Sequence, residues 1–351
     1  MDNNPYIPTE EEVSAEFQLR LVLLESETSQ NNQYNQGLKR QIEQHEKWVK
    51  NQNEGERLKA YDENFTGFDF TRTNLTGALF DGCLFEYSNF YAAILGKDTS
   101  FTRCKINKCY MVHTSVDGTK FEQCTISHNN CGSAKFSNTT FKNILEPSRD
   151  YNTNNFNLAS FSYCTFSKFN FFGSTIDQST WEGNRFESCN LAYVDFSKTN
   201  FNSSVRMNDC YAPYVKFSGL LIEGSIITNC NLTSAEFEKS IATGSDFSSS
   251  DLTRTNFRFT ALANCIFNQT EGENMIFYQS DLNHSEMRLS SFKEANFYES
   301  QLYEADLSGS NLLAAKINHT TNRNMTNFSG CIWTDGNRCI ANSVGMCIPE
   351  K

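Results

Sequence analysis

From Ser280 to Ile317 a large apolar residue returns at every fifth position: Leu282, Met287, Phe292, Phe297, Leu302, Leu307, Leu312 and Ile317. Two places before each stands a small one: Ser280, Ser285, Ser290, Ala295, Ser300, Ala305, Ser310 and Ala315. The three remaining positions are mostly Asn, Asp, Glu, Lys, Arg and Ser. A period of five matches neither the ~3.6-residue helix nor the two-residue strand, so it specifies a repeat architecture. Four such units per turn build a four-sided coil of about twenty residues. The large and small residues share a parity, so both point inward. Coils stacked ~4.8 Å apart then pair their backbone groups with the turns on either side.

The same spacing extends over most of the chain. One block has centres at Phe65, Phe70, Leu75, Phe80, Phe85, Phe90 and Leu95, and an extra residue within 96–100 shifts the register before Phe101. The period then holds to Phe141. Lys142–Asn155, which carries Pro147 and several charges, is expected to leave the wall as a surface loop. A second block begins at Phe156, takes another single insertion before Met207, and runs on from Phe217. Ala212, Ala242 and Gly272 are undersized centres and are expected to pack poorly. After Ile317 the pattern falters, returning at Phe328 and Trp333.

The triplets Ala305-Asp306-Leu307, Ser250-Asp251-Leu252 and Thr73-Asn74-Leu75 closely resemble those of the pentapeptide-repeat proteins, and the resemblance extends from roughly Phe65 to Trp333. It implies a mainly β fold, a right-handed quadrilateral β-helix. The tail from Trp333 to Cys347 resembles a terminal cap found in many bacterial members.

The first sixty residues lack the five-fold period and read as helical. Thr9-Glu10-Glu11-Glu12 has the form of a capping box, and Val13, Phe17, Leu21 and Leu24 follow at helical spacing. After a polar break, Leu38, Ile42, His45 and Val49 form a second amphipathic segment with Trp48 beside them. Two readings stand: a hairpin capping the first coil, whose open end would expose backbone and apolar surface, or a docking or homodimerisation element. Phe17, Leu21, Leu38, Ile42 and Trp48 would carry the second. The expected domains are thus a helical segment over 1–60, a β-helix over 61–335 interrupted at 142–155, and a tail over 336–351.

The formal charge is −11. The first sixty residues hold seven basic and eleven acidic side chains, the remainder 23 and 30, so the excess is spread and no basic patch offers itself to nucleic acid. Ten of the thirteen cysteines take the small inward position and Cys131 a large one, which reads as buried packing. Cys83/Cys104/Cys124 and Cys189/Cys210/Cys230 should form ladders. Cys339 and Cys347 lie outside the repeat and are the pair to bridge if an oxidant is met. His113, His128, His284 and His319 take outward positions at irregular spacing, so no metal trio or catalytic pair assembles. No phosphate loop, nucleophile elbow, zinc-protease or dinucleotide motif occurs, and neither enzymatic activity nor a cofactor is expected. No signal peptide or membrane-length apolar run is visible. A cytoplasmic product is the default, with secretion lacking a cleaved signal still open.

Function then divides among three readings, the blandest being a structural or immunity protein that needs only a stable surface. One is a protein-interaction scaffold, an effector or adaptor of the kind relatives supply to bacteria, whose loop residues Glu146, Arg149, Asp150 and Tyr151 or helical segment would meet a protein partner. The alternative follows from the resemblance: quinolone-resistance and topoisomerase-protecting members present an acidic, DNA-mimicking rod to DNA gyrase. Rows such as Asp246/Glu286/Asp306, whole coils apart, would supply stacked carboxylates.

Overall fold

A computed structural model describes residues 31–144, 154–201 and 204–350, with side chains from residue 36 onward. The chain divides into two compact units, Met1–Ser179 and Thr180–Lys351. In the first, helix α1 (Asn31–Lys50) is followed by parallel strands of two or three residues, beginning with β1 (Lys59–Tyr61) and β2 (Leu79–Asp81), whose middle side chains are buried. Along one wall Ala60 lies opposite Phe80, which is followed coil by coil by Phe101, Phe121, Phe141 and Phe166. Their rings stack with centroids 4.8, 4.9, 5.0 and 5.0 Å apart. The second unit has its own column, Phe196 to Phe297 through Phe217, Phe237, Phe257 and Phe277, with neighbouring centroids 4.8 to 5.6 Å apart. Each buried ring contributes roughly 1.5–3 kcal/mol by burial, and stacking adds about 0.5–1.5 kcal/mol per pair.

The corners explain the small residue. The Ser280 N–H closes a turn onto the Phe277 carbonyl at 3.0 Å, with Gln279 at φ 54° as the third residue, and the same turn recurs at Leu282–Ser285 around His284. Positive φ at that place marks a type II turn. The small side chain folds into the corner, where a hydroxyl or thiol in a dry interior needs an acceptor. Many find one in a backbone carbonyl of the preceding coil, others such as Ser280 in a carbonyl of their own turn, while the Ser240 and Ser285 hydroxyls have none among the described residues. Ser310 donates to Met287 at 2.6 Å, Thr260 to Phe237 at 2.8 Å, and Cys265 to Ala242 at 3.1 Å. Hence Ser, Thr and Cys recur there, while Leu or Phe takes the other inward place.

Insertions change coil length without breaking the walls. The steps from Phe80 to Phe101 and from Phe186 to Met207 are one residue longer than the twenty that separate Phe101 from Phe121. The step from Phe141 to Phe166 is five residues longer. The wall holds more of Lys142–Asn155 than a surface loop would leave it: Lys142 pairs with Glu122, Ile144 is buried, and Asn155 bridges Asn130 and Thr175. Asn154 is buried, and its side-chain oxygen takes the Asn129 N–H at 2.9 Å. Phe169, at a position that usually holds Ser, Ala or Cys, is buried 5.4 Å from Phe141 and 4.5 Å from Phe171.

Gly272 does not pack poorly. A Cβ there would run into the Met275 sulfur and sit 2.9 Å from the Ser291 carbonyl. Met275 occupies the next small position and is fully buried, so the long side chain has moved three residues along to fill the space the glycine leaves. Gly272→Leu and Met275→Ala should each cost about 2 kcal/mol or more, the first by overpacking and the second by a cavity. The double variant should recover most of the loss, which a double-mutant cycle of denaturant midpoints measures. Strict additivity would contradict the swap. Ile317, the last centre of the regular run, is only half-buried.

Candidate interaction surfaces

At the start of the first unit, α1 covers the opening coils. Leu38 and Ile42 are buried, and His45 is wholly so. The His45 Nδ1 accepts the Leu58 N–H at 3.0 Å, the Glu46 carboxylate the Asn74 N–H at 3.4 Å, and Arg57 donates to the Gly77 carbonyl at 2.6 Å. Half-buried Trp48 stacks on His45 at 5.5 Å, and the Arg57 guanidinium lies 5.5 Å from the Trp48 ring centre. A side chain on Gly77, at φ 81°, would begin 3.0 Å from the Trp48 ring. The helix thus supplies acceptors to backbone donors of the first coil. Phe17 and Leu21 of the helical set, and Glu146, Arg149, Asp150 and Tyr151 of the loop set, lie outside the described residues.

Sequence spacing placed His45 on the apolar face but could not show that its ring accepts a backbone hydrogen bond. Burial, the largest influence, holds its pKa below the ordinary 6.5, and the Leu75 carbonyl partly opposes that. The unfolded chain therefore binds the proton first, so stability contributed here is full above 6.5 and declines as pH falls below it. Wild type should lose thermal stability between about pH 7 and 5, and His45→Asn, which keeps an acceptor without the titration, should lose less. Equal slopes for the two proteins would contradict this.

The outward walls carry ladders of like positions. In the second unit Leu221, Ile241 and Ala261 lie side by side, the first two 54% and 44% exposed. Phe259 at the adjoining corner is 43% exposed, with the Lys239 ammonium 5.9 Å from its ring centre. Exposed Tyr193 and Tyr214 stack at 4.8 Å. Asp246, Glu286 and Asp306 do share one column, but Ile266 stands between the first two, and Arg288 pairs with Glu286 and lies 3.9 Å from Asp306. All eleven unbridged cysteines are buried, and burial pushes the thiols of Cys109, Cys164 and Cys265 up to about 12, far from a nucleophile's range. The Cys339–Cys347 bridge is closed, with Cα atoms 5.2 Å apart, and Cys339 pairs antiparallel with Pro349. Pro349 has no N–H to offer an added strand. His284 lies 3.2 Å from Glu304 at the surface. Among the described residues no three His, Cys, Asp or Glu side chains are placed to hold a metal ion, and no helix is long and apolar enough to cross a membrane.

These features define a four-sided parallel β-helix whose interior is spent on packing and whose chemistry lies on its walls. The sequence profile described as pentapeptide repeats matches in eight copies, over residues 64–96, 230–269 and 276–312. The chain thus carries pentapeptide repeats over these residues, with a helix ahead of them. The sequence matches none of the curated proteins. Among solved structures it is similar to a pentapeptide repeat protein of the Arabidopsis thaliana thylakoid lumen (24% identity over 25% of this chain, TM-score 0.25) and spans 61% of that protein's length. It is also similar to QnrB1, a plasmid-mediated fluoroquinolone resistance protein (15% identity, 61% of this chain and 84% of that one, TM-score 0.26). A third is HetL of Nostoc sp. strain PCC 7120, involved in heterocyst differentiation regulation (15% identity, 79% and 92%, TM-score 0.19).

Proposed function

We propose that this chain is a non-enzymatic interaction scaffold, an adaptor or effector that offers a rigid β-helix wall to a protein partner. The observation that carries the reading is the apolar stripe Leu221, Ile241, Ala261 and Phe259, bounded along its ladder by Asp281 and flanked by Glu223 and the Lys239–Glu238 pair. A contiguous exposed apolar surface on a folded chain marks a contact site. Burial of Leu38 and Ile42 makes the capping role of α1 the better reading of that segment. Cross-linking in the producing cell should capture a partner with wild type and lose it with Leu221→Glu/Ile241→Glu. An unchanged set of captured proteins would overturn the assignment.

The second reading is the acidic rod that engages DNA gyrase. The shared column of Asp246, Glu286 and Asp306 favours it, whereas Ile266 and Arg288 interrupt the run of negative charge. A supercoiling assay decides: neither inhibition nor protection of gyrase at micromolar protein would remove it.

A further inference from the structure

One column of the second unit is polarised. Arg185 lies opposite Arg206, and Arg206 opposite Ile226. The column continues through Asp246, Ile266, Glu286 and Asp306 to Asn327. Like charges directly opposite on neighbouring strands destabilise a sheet, and this column has two such steps, Arg185–Arg206 and Glu286–Asp306. Arg185 is paired with Glu187 at 3.3 Å, but Arg206 is exposed and has no carboxylate partner among the described residues. At the other end two carboxylates, Glu286 and Asp306, share the one cation of Arg288. Ion pairs within the chain thus leave one positive charge over at Arg185–Arg206 and one negative charge over at Glu286–Asp306, where the Asn327 amide also donates to Asp306 at 2.9 Å.

The order of residues is also self-complementary. Turned end for end about Asp246, the column sets Arg185 against Asp306, Arg206 against Glu286, and Ile226 against Ile266. Ile226 is 43% exposed, so apolar surface is available to meet its counterpart. We infer that this wall is an isologous contact for a second copy of this chain, the two columns running antiparallel about a two-fold axis at Asp246. Such an axis generates every contact twice from one patch, and opposite charges at its ends set register and exclude the parallel arrangement. Asp246 meets its own copy at the axis, which limits affinity. The wall is one narrow face, so the dimer is weak and reversible, in the range expected below ~1,200 Å² of buried surface. The contact is independent of the Leu221–Ile241 stripe, which lies on the adjoining wall.

Sedimentation velocity of the full chain over a wide concentration range tests it. Wild type should pass from monomer to dimer as concentration rises, and added salt should shift it back. Arg206→Glu and Glu286→Arg should each weaken the dimer by about tenfold or more, because each sets like charges together twice across the axis. The combined Arg206→Glu/Glu286→Arg chain should regain dimerisation. Asp246→Asn, which keeps the side-chain oxygen that accepts the Ser248 N–H at 2.9 Å, should tighten the dimer. A monomer at every concentration, or a dimer indifferent to both single reversals, would overturn the assignment, as would a combined variant no better than either single one.

Discussion

Phe297→Asp is expected to unfold the coils around it. The ring is fully buried, 5.0 Å from Phe277 in the stacked column and 6.0 Å from Phe292 at the next corner. Aspartate there loses the packing of an aromatic side chain, about 3–5 kcal/mol. It also leaves a carboxylate without a partner in a dry interior, a further cost of several kcal/mol. In a solenoid each coil is held chiefly by its neighbours, so the loss should begin locally, with circular dichroism melting early and protease cutting near residue 297. Tyr298→Asp, one residue on and 38% exposed, should melt within a few degrees of wild type. A Phe297→Asp chain as stable as wild type would mean the ring does not face the interior.

Trp181→Ala should be the next most damaging change. Trp181 is completely buried, edge-on to Phe196 at 5.5 Å and parallel to Phe201 at 6.4 Å. Truncation to alanine should cost about 3–5 kcal/mol, because a stacked wall cannot close over the void. The melting temperature should fall by on the order of 10 °C, and Trp181→Phe should cost less than half of that. Indistinguishable melting of the alanine variant would show that the indole is not a core element.

The fold was legible because its period is unusual. Leu282 through Leu312 recur with a spacing that no helix or simple strand produces, and the small residue two places earlier marks the corner. Coil closure was harder to read. The insertions near 96–100 and before Met207 could be counted, but the residues of Lys142–Asn155 that stay in the wall, such as Ile144 and Asn154, look no different in sequence from loop residues. Compensation between neighbours was invisible for a similar reason. Gly272 reads as a defect until Met275 is seen filling its space, since the period assigns each position a size and cannot register an exchange.

Surfaces were less legible than the core. Packing imposes a pattern on inward positions, whereas outward ones are constrained only by what they meet. The column from Arg185 to Asp306 is spread over more than a hundred residues, and its order emerges only when coil lengths, including the longer step from Arg185 to Arg206, are known. His45 shows the same limit at the helix: spacing placed it on the apolar face, and only the fold brings the Leu58 N–H to its ring.

The central claim is that small and large residues alternate into a dry bore, and its most direct test is a count of reactive thiols. Eleven of the thirteen cysteines are free and buried at these inward positions, while Cys339 and Cys347 are bonded to each other. Treated with a water-soluble thiol reagent without reductant, the native protein should show no fast-reacting thiol, and the denatured protein should show eleven. Prompt modification of several thiols in the native protein would place those positions in solvent and contradict the four-sided β-helix.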